Sequence, residues 1–387
     1  MKSWNEIANE FPINERYLYL NNCGTSTPPR SVVDDVKQRW ELWTHEGAIL
    51  ESWPHGEKDN ARKILSRLID CAFDEVTLIH NTAEGMIFTA TGLDLKDRDE
   101  IILLEKEYPS NVYPWKAHEQ KGVKIIFVKL HDSPREQGDA VIAAITPRTR
   151  AISMSAVHWC TGLPLPLEQI GNECNRRGIF FAVDGSQGIG HIPISMKSAY
   201  IDAMSFCGWK FLLGPPGIGG LAVRKESLSK LSFPFKGPHS VPHPGNYQEY
   251  QDALIDSADR YAYSTPSLFD TAAFSLSLTW LDTIGFDNVM NRIHDLSQII
   301  VTRLSSDGFI VPAAGYTERT SIICARHPVI QSDLIIKDLA AHGIIARERA
   351  GYIRMAPHIY QNEEMMEQAC EIISRYANRE PYIDNLI

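Results

Sequence analysis

Long apolar runs are missing from this 387-residue sequence. None approaches the ~18 residues of a membrane-spanning helix, so no membrane partner is expected. Positive charge is scarce as well. Lysine and arginine total 38 against 48 acids, a net charge of −10, which argues against nucleic acid as a main partner. The seven cysteines are scattered, with no Cys-x-x-Cys spacing. That pattern fits neither a zinc site nor a disulfide frame; it predicts reduced thiols in the cytoplasm. Internal repeats and low-complexity tracts are lacking. The opening Met1-Lys2-Ser3-Trp4-Asn5-Glu6 has no apolar stretch, so no signal peptide is expected.

What the chain does have is length enough for a large core and a regular alternation of patterns. Glu100 to Leu104, Lys124 to Val128, Ala151 to Met154 and Ile179 to Val183 read as apolar strands. Segments such as Leu165 to Arg177 separate them, with helical periodicity and charged outer positions. Continuous apolar strands spaced by helices predict an α/β fold with a mostly parallel sheet covered on both faces. Ligands in such sheets sit at the carboxyl ends of the strands. After Thr265-Pro266-Ser267 the pattern changes. Leu268 to Ser306 reads as long amphipathic helix, followed by a strand at Thr320 to Ala325 and helices near Ile330 to His342 and Glu363 to Ala377. We expect a large unit over 16–266 and a smaller α+β unit made of 1–15 and 267–387.

Two residues suggest chemistry. Lys210 lies in Cys207-Gly208-Trp209-Lys210-Phe211-Leu212-Leu213, ahead of a Gly/Pro-rich stretch, Gly214 to Gly220. Asp184 ends the apolar run Phe180-Phe181-Ala182-Val183 and precedes Gly185-Ser186-Gln187. A desolvated lysine and a carboxylate at a strand end are the two groups that pyridoxal 5′-phosphate requires. The amine forms a Schiff base, and the acid keeps the pyridine nitrogen protonated so that the ring can accept electrons. A second expected anchor is His80-Asn81-Thr82-Ala83-Glu84-Gly85, a strand-to-helix turn whose backbone N–H groups would meet a phosphate.

Taken together, Asp184-x-x-Gln187, Gly208-x-Lys210 and the glycines beyond resemble the fold-type-I pyridoxal-phosphate enzymes of aminotransferase class V. That group includes cysteine desulfurases, selenocysteine lyases and isopenicillin-epimerase-like proteins. The resemblance runs from about Tyr17 to the C-terminal helix. It implies phosphate contacts at Thr82 and Ala83, with Tyr108 stacked on the pyridine ring. It places His158 and Gln187 near the phenolic oxygen, and Cys207 and Trp209 just before the lysine, where desulfurases often carry serine and histidine. Thr265 would reach the phosphate across the interface of a homodimer. Arg354 would clamp the α-carboxylate of a small amino-acid substrate, with Asn22 as a further contact.

Desulfurases of this group carry a nucleophilic cysteine on a mobile loop upstream of that arginine. Here the stretch His342 to Gly351 holds none. Cys23 and Cys160 lie nearer the expected site, where buried thiols are the commoner case. The resemblance therefore implies β-elimination, as in a C–S lyase, or transamination, with desulfuration or epimerisation as alternatives. A nicotinamide oxidoreductase is a remote reading: Gly185 to Gly190 lacks the Gly-x-Gly-x-x-Gly order, and no Tyr-x-x-x-Lys occurs. A non-catalytic pyridoxal-phosphate binder fits poorly with Lys210, Asp184 and Arg354 all present.

Overall fold

The computed structural model describes residues 3–47, 56–316 and 318–377. Twelve strands occur among them: β1 (Leu18–Tyr19), β2 (Val76–Ile79), β3 (Glu100–Leu104), β4 (Lys124–Val128), β5 (Thr149–Ser155), β6 (Phe180–Asp184), β7 (Ala203–Cys207), β8 (Gly219–Val223), β9 (Ile323–Ala325), β10 (Ile344–Ile345), β11 (Arg347–Arg349) and β12 (Tyr352–Met355). Seven form one sheet in the order β2-β8-β7-β6-β5-β3-β4. Only β8 runs against its neighbours; the others share a direction. The central strands are mostly apolar because both faces are buried, whereas the edge strand β4 is partly exposed. Phe181, Val183 and Met204 enter one core, while Phe180, Ala182 and Ala203 enter another on the opposite face.

The direction of β7 positions the site. β7 runs parallel to β6, so the connection that follows Cys207 and carries Lys210 starts at the edge where β6 ends. Asp184 is the last residue of β6 and Ser155 the last of β5. Their register is Ser155 opposite Asp184 and Asp184 opposite Ser205, so the three side chains stand level on one face. The helix Thr82–Gly92 starts just beyond β2 at the same edge.

A smaller core joins Leu18 and Leu20 to the helices Phe286–Ser306, Ser332–Ala341 and Glu363–Ser374 and to the sheet β11-β12-β9. The expected long helix over 268–306 is two helices. Gly285 divides Leu268–Ile284 from Phe286–Ser306 at φ +88°, a conformation that side chains resist. Phe274 and Leu278 of the first helix pack in the main core, whereas Leu296, Ile300 and Leu304 of the second pack in the smaller one. The change of core thus falls some way after residue 266. Ile7 and Phe11 also pack in the main core. Residues 1–2 and 378–387 of the expected smaller unit lie outside the described residues. Among the described residues no helix is long and apolar enough to cross a membrane.

The helix Leu167–Arg177 covers the sheet through Gly171, where an added Cβ would stand 1.7 Å from the Ala199 carbonyl oxygen. Alanine at this position would gain about 1 kcal/mol of helix propensity, but backbone cannot yield as a side chain does. Gly171→Ala is therefore expected to lower stability by about 1–3 kcal/mol, read as a fall in the denaturant midpoint. An unchanged or raised midpoint would show that propensity wins.

Candidate active site

A cavity of about 410 Å³ opens at the carboxyl edge of the sheet. Lys210, Asp184, Gln187 and Tyr108 line it, as do Thr82, Ala83, Cys207 and Trp209. The structure thus brings together eight of the expected residues from four separate segments. Lys210 Nζ lies 5.9 Å from the centre of the Tyr108 ring. Tyr108 in turn meets Trp159 edge to face, with ring centres 5.5 Å apart.

Asp184 is buried, and burial raises its carboxyl above the usual range while the Lys210 charge works to lower it. Its Oδ1 accepts the Ser186 backbone N–H at 2.9 Å. Gln187 donates through Nε2 to the Cys23 carbonyl at 3.0 Å, and its Oε1 is buried without a partner. An orphaned amide oxygen in such a cavity is a group that a bound ligand would satisfy.

The helix Thr82–Gly92 supplies the anion-binding end. Asn81 is its N-cap, with Oδ1 accepting the Glu84 N–H at 3.0 Å. Thr82 Oγ1 and Ser186 Oγ lie 2.6 Å apart. The Ser205 hydroxyl donates to the Thr82 carbonyl at 3.0 Å, which pins the helix start to the register of β7. Behind the wall sits a second buried acid, Glu107. It accepts the Ser155 N–H at 2.9 Å, the Ser155 hydroxyl and the Tyr108 N–H. Burial raises its carboxyl too, against those hydrogen bonds.

Four expected residues are not part of the cavity's lining. His158 is fully buried behind the wall. Its Nε2–H donates to the Lys106 carbonyl at 3.1 Å, and its Nδ1 faces the Thr161 hydroxyl at 3.0 Å. Neither ring nitrogen is free for a cofactor oxygen, and burial lowers its pKa to about 4. Asn22 is equally committed. Its Nδ2 donates to the Ala356 carbonyl at 2.8 Å, and its Oδ1 accepts from Ser26 and Tyr360. It ties the loop after β1 to the residue that follows β12. Arg354 is 4% exposed. Its Nη1 donates to the Trp159 carbonyl at 2.9 Å, leaving Nε buried and unpartnered. Thr265 is exposed, in a separate groove with Tyr263 and Glu84 that shares Gly217 with the cavity.

Sequence reasoning missed Ser186, Ser155, Ser110 and Trp159, which also line the cavity. Ser186 carried a signal, since it stands between Asp184 and Gln187. Ser155 carried one as the residue that ends its strand.

The residues present fit pyridoxal phosphate. The cavity offers an amine, a buried carboxylate, an unsatisfied amide and a capped helix start in one place. The chain belongs to the aminotransferase class-V family, whose pattern it matches over residues 18–366. Among relatives, a probable cysteine desulfurase of Pyrococcus abyssi is 23% identical, covering 94% of each chain. An uncharacterized aminotransferase of Bacillus subtilis, YcbU, is 24% identical over 94% of this chain and 95% of its own. Among solved structures, the cystine C–S lyase C-DES, complexed with its product cysteine persulfide, superposes with a TM-score of 0.86 at 20% identity, covering 96% of this chain and 100% of its own. An apo cysteine desulfurase from Thermococcus onnurineus gives 0.84 at 20% identity, over 97% and 98% of the two chains. At that identity the structures establish the fold, a fold-type-I α/β architecture.

Neutral burial of His158 has a measurable consequence. Its native pKa of about 4 lies below the unfolded value near 6.5. Between these values the unfolded chain binds the extra proton, so the histidine's contribution is present above about pH 6.5 and is lost as pH falls towards 4. The stability difference between wild type and His158→Gln should therefore shrink by about 2 kcal/mol from pH 7.5 to 4.5, measured by denaturant titration. A difference that stays constant would mean that His158 titrates normally.

Proposed function

We propose that this protein is a pyridoxal-5′-phosphate-dependent enzyme that cleaves a carbon–sulfur bond in an amino acid by β-elimination. The carrying observation is the connection from β11 to β12. It is a two-residue turn, Ala350-Gly351, with φ of +51° and +83°. Both residues are left-handed, as in a tight hairpin turn, which leaves no long loop to present a thiol. The nearby thiols are unsuited to the task. Cys23, Cys160 and Cys324 are buried, and burial raises all three above the usual thiol range. An enzyme thiol that accepts the substrate's sulfur is therefore disfavoured.

Bound in the cavity, the cofactor supplies an electron sink for charge that develops at the substrate's α-carbon. Thr82, Ala83 and Ser186 would hold its phosphate at the helix start, Asp184 its ring nitrogen, and Tyr108 its face. Lys210 would anchor it covalently and, once released by the incoming amino acid, take the α-proton. Arg354 would hold the α-carboxylate as a fork. The Cβ–S bond then breaks, the sulfur leaves with the bonding pair and takes up a proton, and water converts the remaining three-carbon fragment to pyruvate and ammonia. Transamination opens with the same proton transfer and differs in its products.

The working unit we propose is a homodimer. An apolar hollow of about 570 Å³ lies between the helices Arg30–Glu46 and Leu268–Ile284 and runs up to Pro266. Trp40 is half exposed there, stacked on Phe269 at 4.0 Å. A partner covering that face would carry Thr265 towards the neighbouring site. Seven unpaired cysteines support a reducing, cytoplasmic setting.

Two variants test the roles. Lys210→Ala should lose the visible absorption of bound cofactor, its borohydride-fixed attachment to residue 210, and turnover by about a thousandfold or more. Arg354→Lys should lower kcat/KM by about a hundredfold, mostly through KM. Release of pyruvate and ammonia from a sulfur amino acid supports elimination. Conversion of the cofactor to its amine form with no pyruvate would replace that reading by transamination. Failure to bind pyridoxal phosphate at all would overturn both.

A further inference from the structure

The small sheet has two chemically different faces. Its register sets Arg347 opposite Arg354, Glu348 opposite Ile353 and Arg349 opposite Tyr352. On the other side of β12, Arg354 faces Cys324 and Ile353 faces Ala325. Residues paired across strands share a face. One face therefore holds Glu348, Ile353 and Ala325, and the last two pack in the smaller core. The other holds Arg347, Arg349, Tyr352, Arg354 and Cys324. Arg326 extends it, lying 5.8 Å from the centre of the Tyr352 ring.

No acid of these three strands stands on this face; Asp333 and Glu348 line a groove with Arg326 and Tyr352 at its edge. Glu348 points to the opposite side and accepts the Gly351 N–H at 2.6 Å. The guanidiniums of Arg347, Arg349 and Arg354 donate to backbone carbonyls, those of Ala346, Glu348 and Trp159. Among the described residues none of the three forms an ion pair. Arg354 is more than nine-tenths buried, with an unpartnered Nε. Arg349, opposite Tyr352, stands on the same face diagonal to Arg354 across the β11–β12 pair. Arg347 is exposed and Arg349 half-buried, but keeping the buried Arg354 charge without a counter-charge is costly unless a ligand supplies an anion. The substrate's α-carboxylate accounts for Arg354. It leaves Arg349 unexplained.

We propose that Arg349 binds a second carboxylate, at the far end of the substrate's side chain, so that the enzyme selects amino acids carrying two carboxylates. This rests on the reading of the cavity as an amino-acid site. The turn at Ala350-Gly351 holds Arg349 on a strand rather than on a mobile loop, which suits a fixed distance between the two carboxylates.

The test compares S-carboxymethyl-L-cysteine with S-carbamoylmethyl-L-cysteine, which match in shape and differ in the terminal charge. Wild-type holoenzyme should favour the carboxylate by roughly ten- to a hundredfold in kcat/KM, chiefly through KM. Arg349→Gln should bring that ratio close to one, and Arg349→Lys should restore part of it. Equal kcat/KM for the two compounds in wild type, or a ratio that Arg349→Gln leaves intact, refutes the assignment while the amino-acid site stands. If neither compound reacts or shifts the visible absorption of the bound cofactor, the reading of the site falls and this proposal with it.

Discussion

Burial of the Asp184 carboxylate sets the terms for the rest of the site. Removing a carboxylate from water is costly unless hydrogen bonds and an opposite charge compensate. One backbone N–H, from Ser186, compensates part of it, and the charge of Lys210 helps. That charge comes within reach because β7 runs parallel to β6, which puts the lysine-bearing connection at the edge where β6 ends. The same edge receives the helix start at Thr82, held there by Ser205 from β7. In the proposed complex, a protonated ring nitrogen would supply the remaining compensation.

Much of this geometry was legible in the sequence, for a physical reason. Strands buried on both faces must be largely apolar, and Ile101 to Leu104 or Phe180 to Val183 show that clearly. Asp184 then stands out because the run ends on it. The strand β8 was less visible. Gly219 and Gly220 read as loop, yet both lie in the sheet. A Cβ on Gly219 would stand 2.1 Å from the Phe206 carbonyl oxygen, and one on Gly220 would strike the Phe206 ring at 2.3 Å. Their glycines answer to close packing, not to a turn.

His158 and Asn22 show where local reading stops. Both are polar residues beside the site. Their hydrogen-bond partners, however, are the Lys106 carbonyl, 52 positions away, and the Ala356 carbonyl, 334 positions away. No short-range pattern encodes such a partner. Each side chain faces the site's wall and spends its bonding capacity inside it, so their contribution is to hold Lys106 and β12 in place. Trp159 makes the same point from the other direction. Its ring reaches the cavity because its Nε1–H is fixed 2.7 Å from the Lys106 carbonyl oxygen, which also accepts from His158.

In the proposed function, the hairpin β11–β12 would link the choice of reaction to the choice of substrate. A thiol nucleophile needs reach and a lowered pKa, and this segment provides neither. A rigid strand instead presents arginines at alternate positions, and such a surface can do one thing well, which is to hold anions at fixed separations. Elimination has no need of a second nucleophile, because the leaving sulfur departs with its own electron pair. It does need the substrate oriented so that the Cα–H and Cβ–S bonds both stand across the plane of the electron sink. One carboxylate clamp leaves rotation about the Cα–Cβ axis free. A second fixed anion contact beyond the sulfur would remove that freedom, so the arginine strand and the missing thiol are consistent parts of one chemistry.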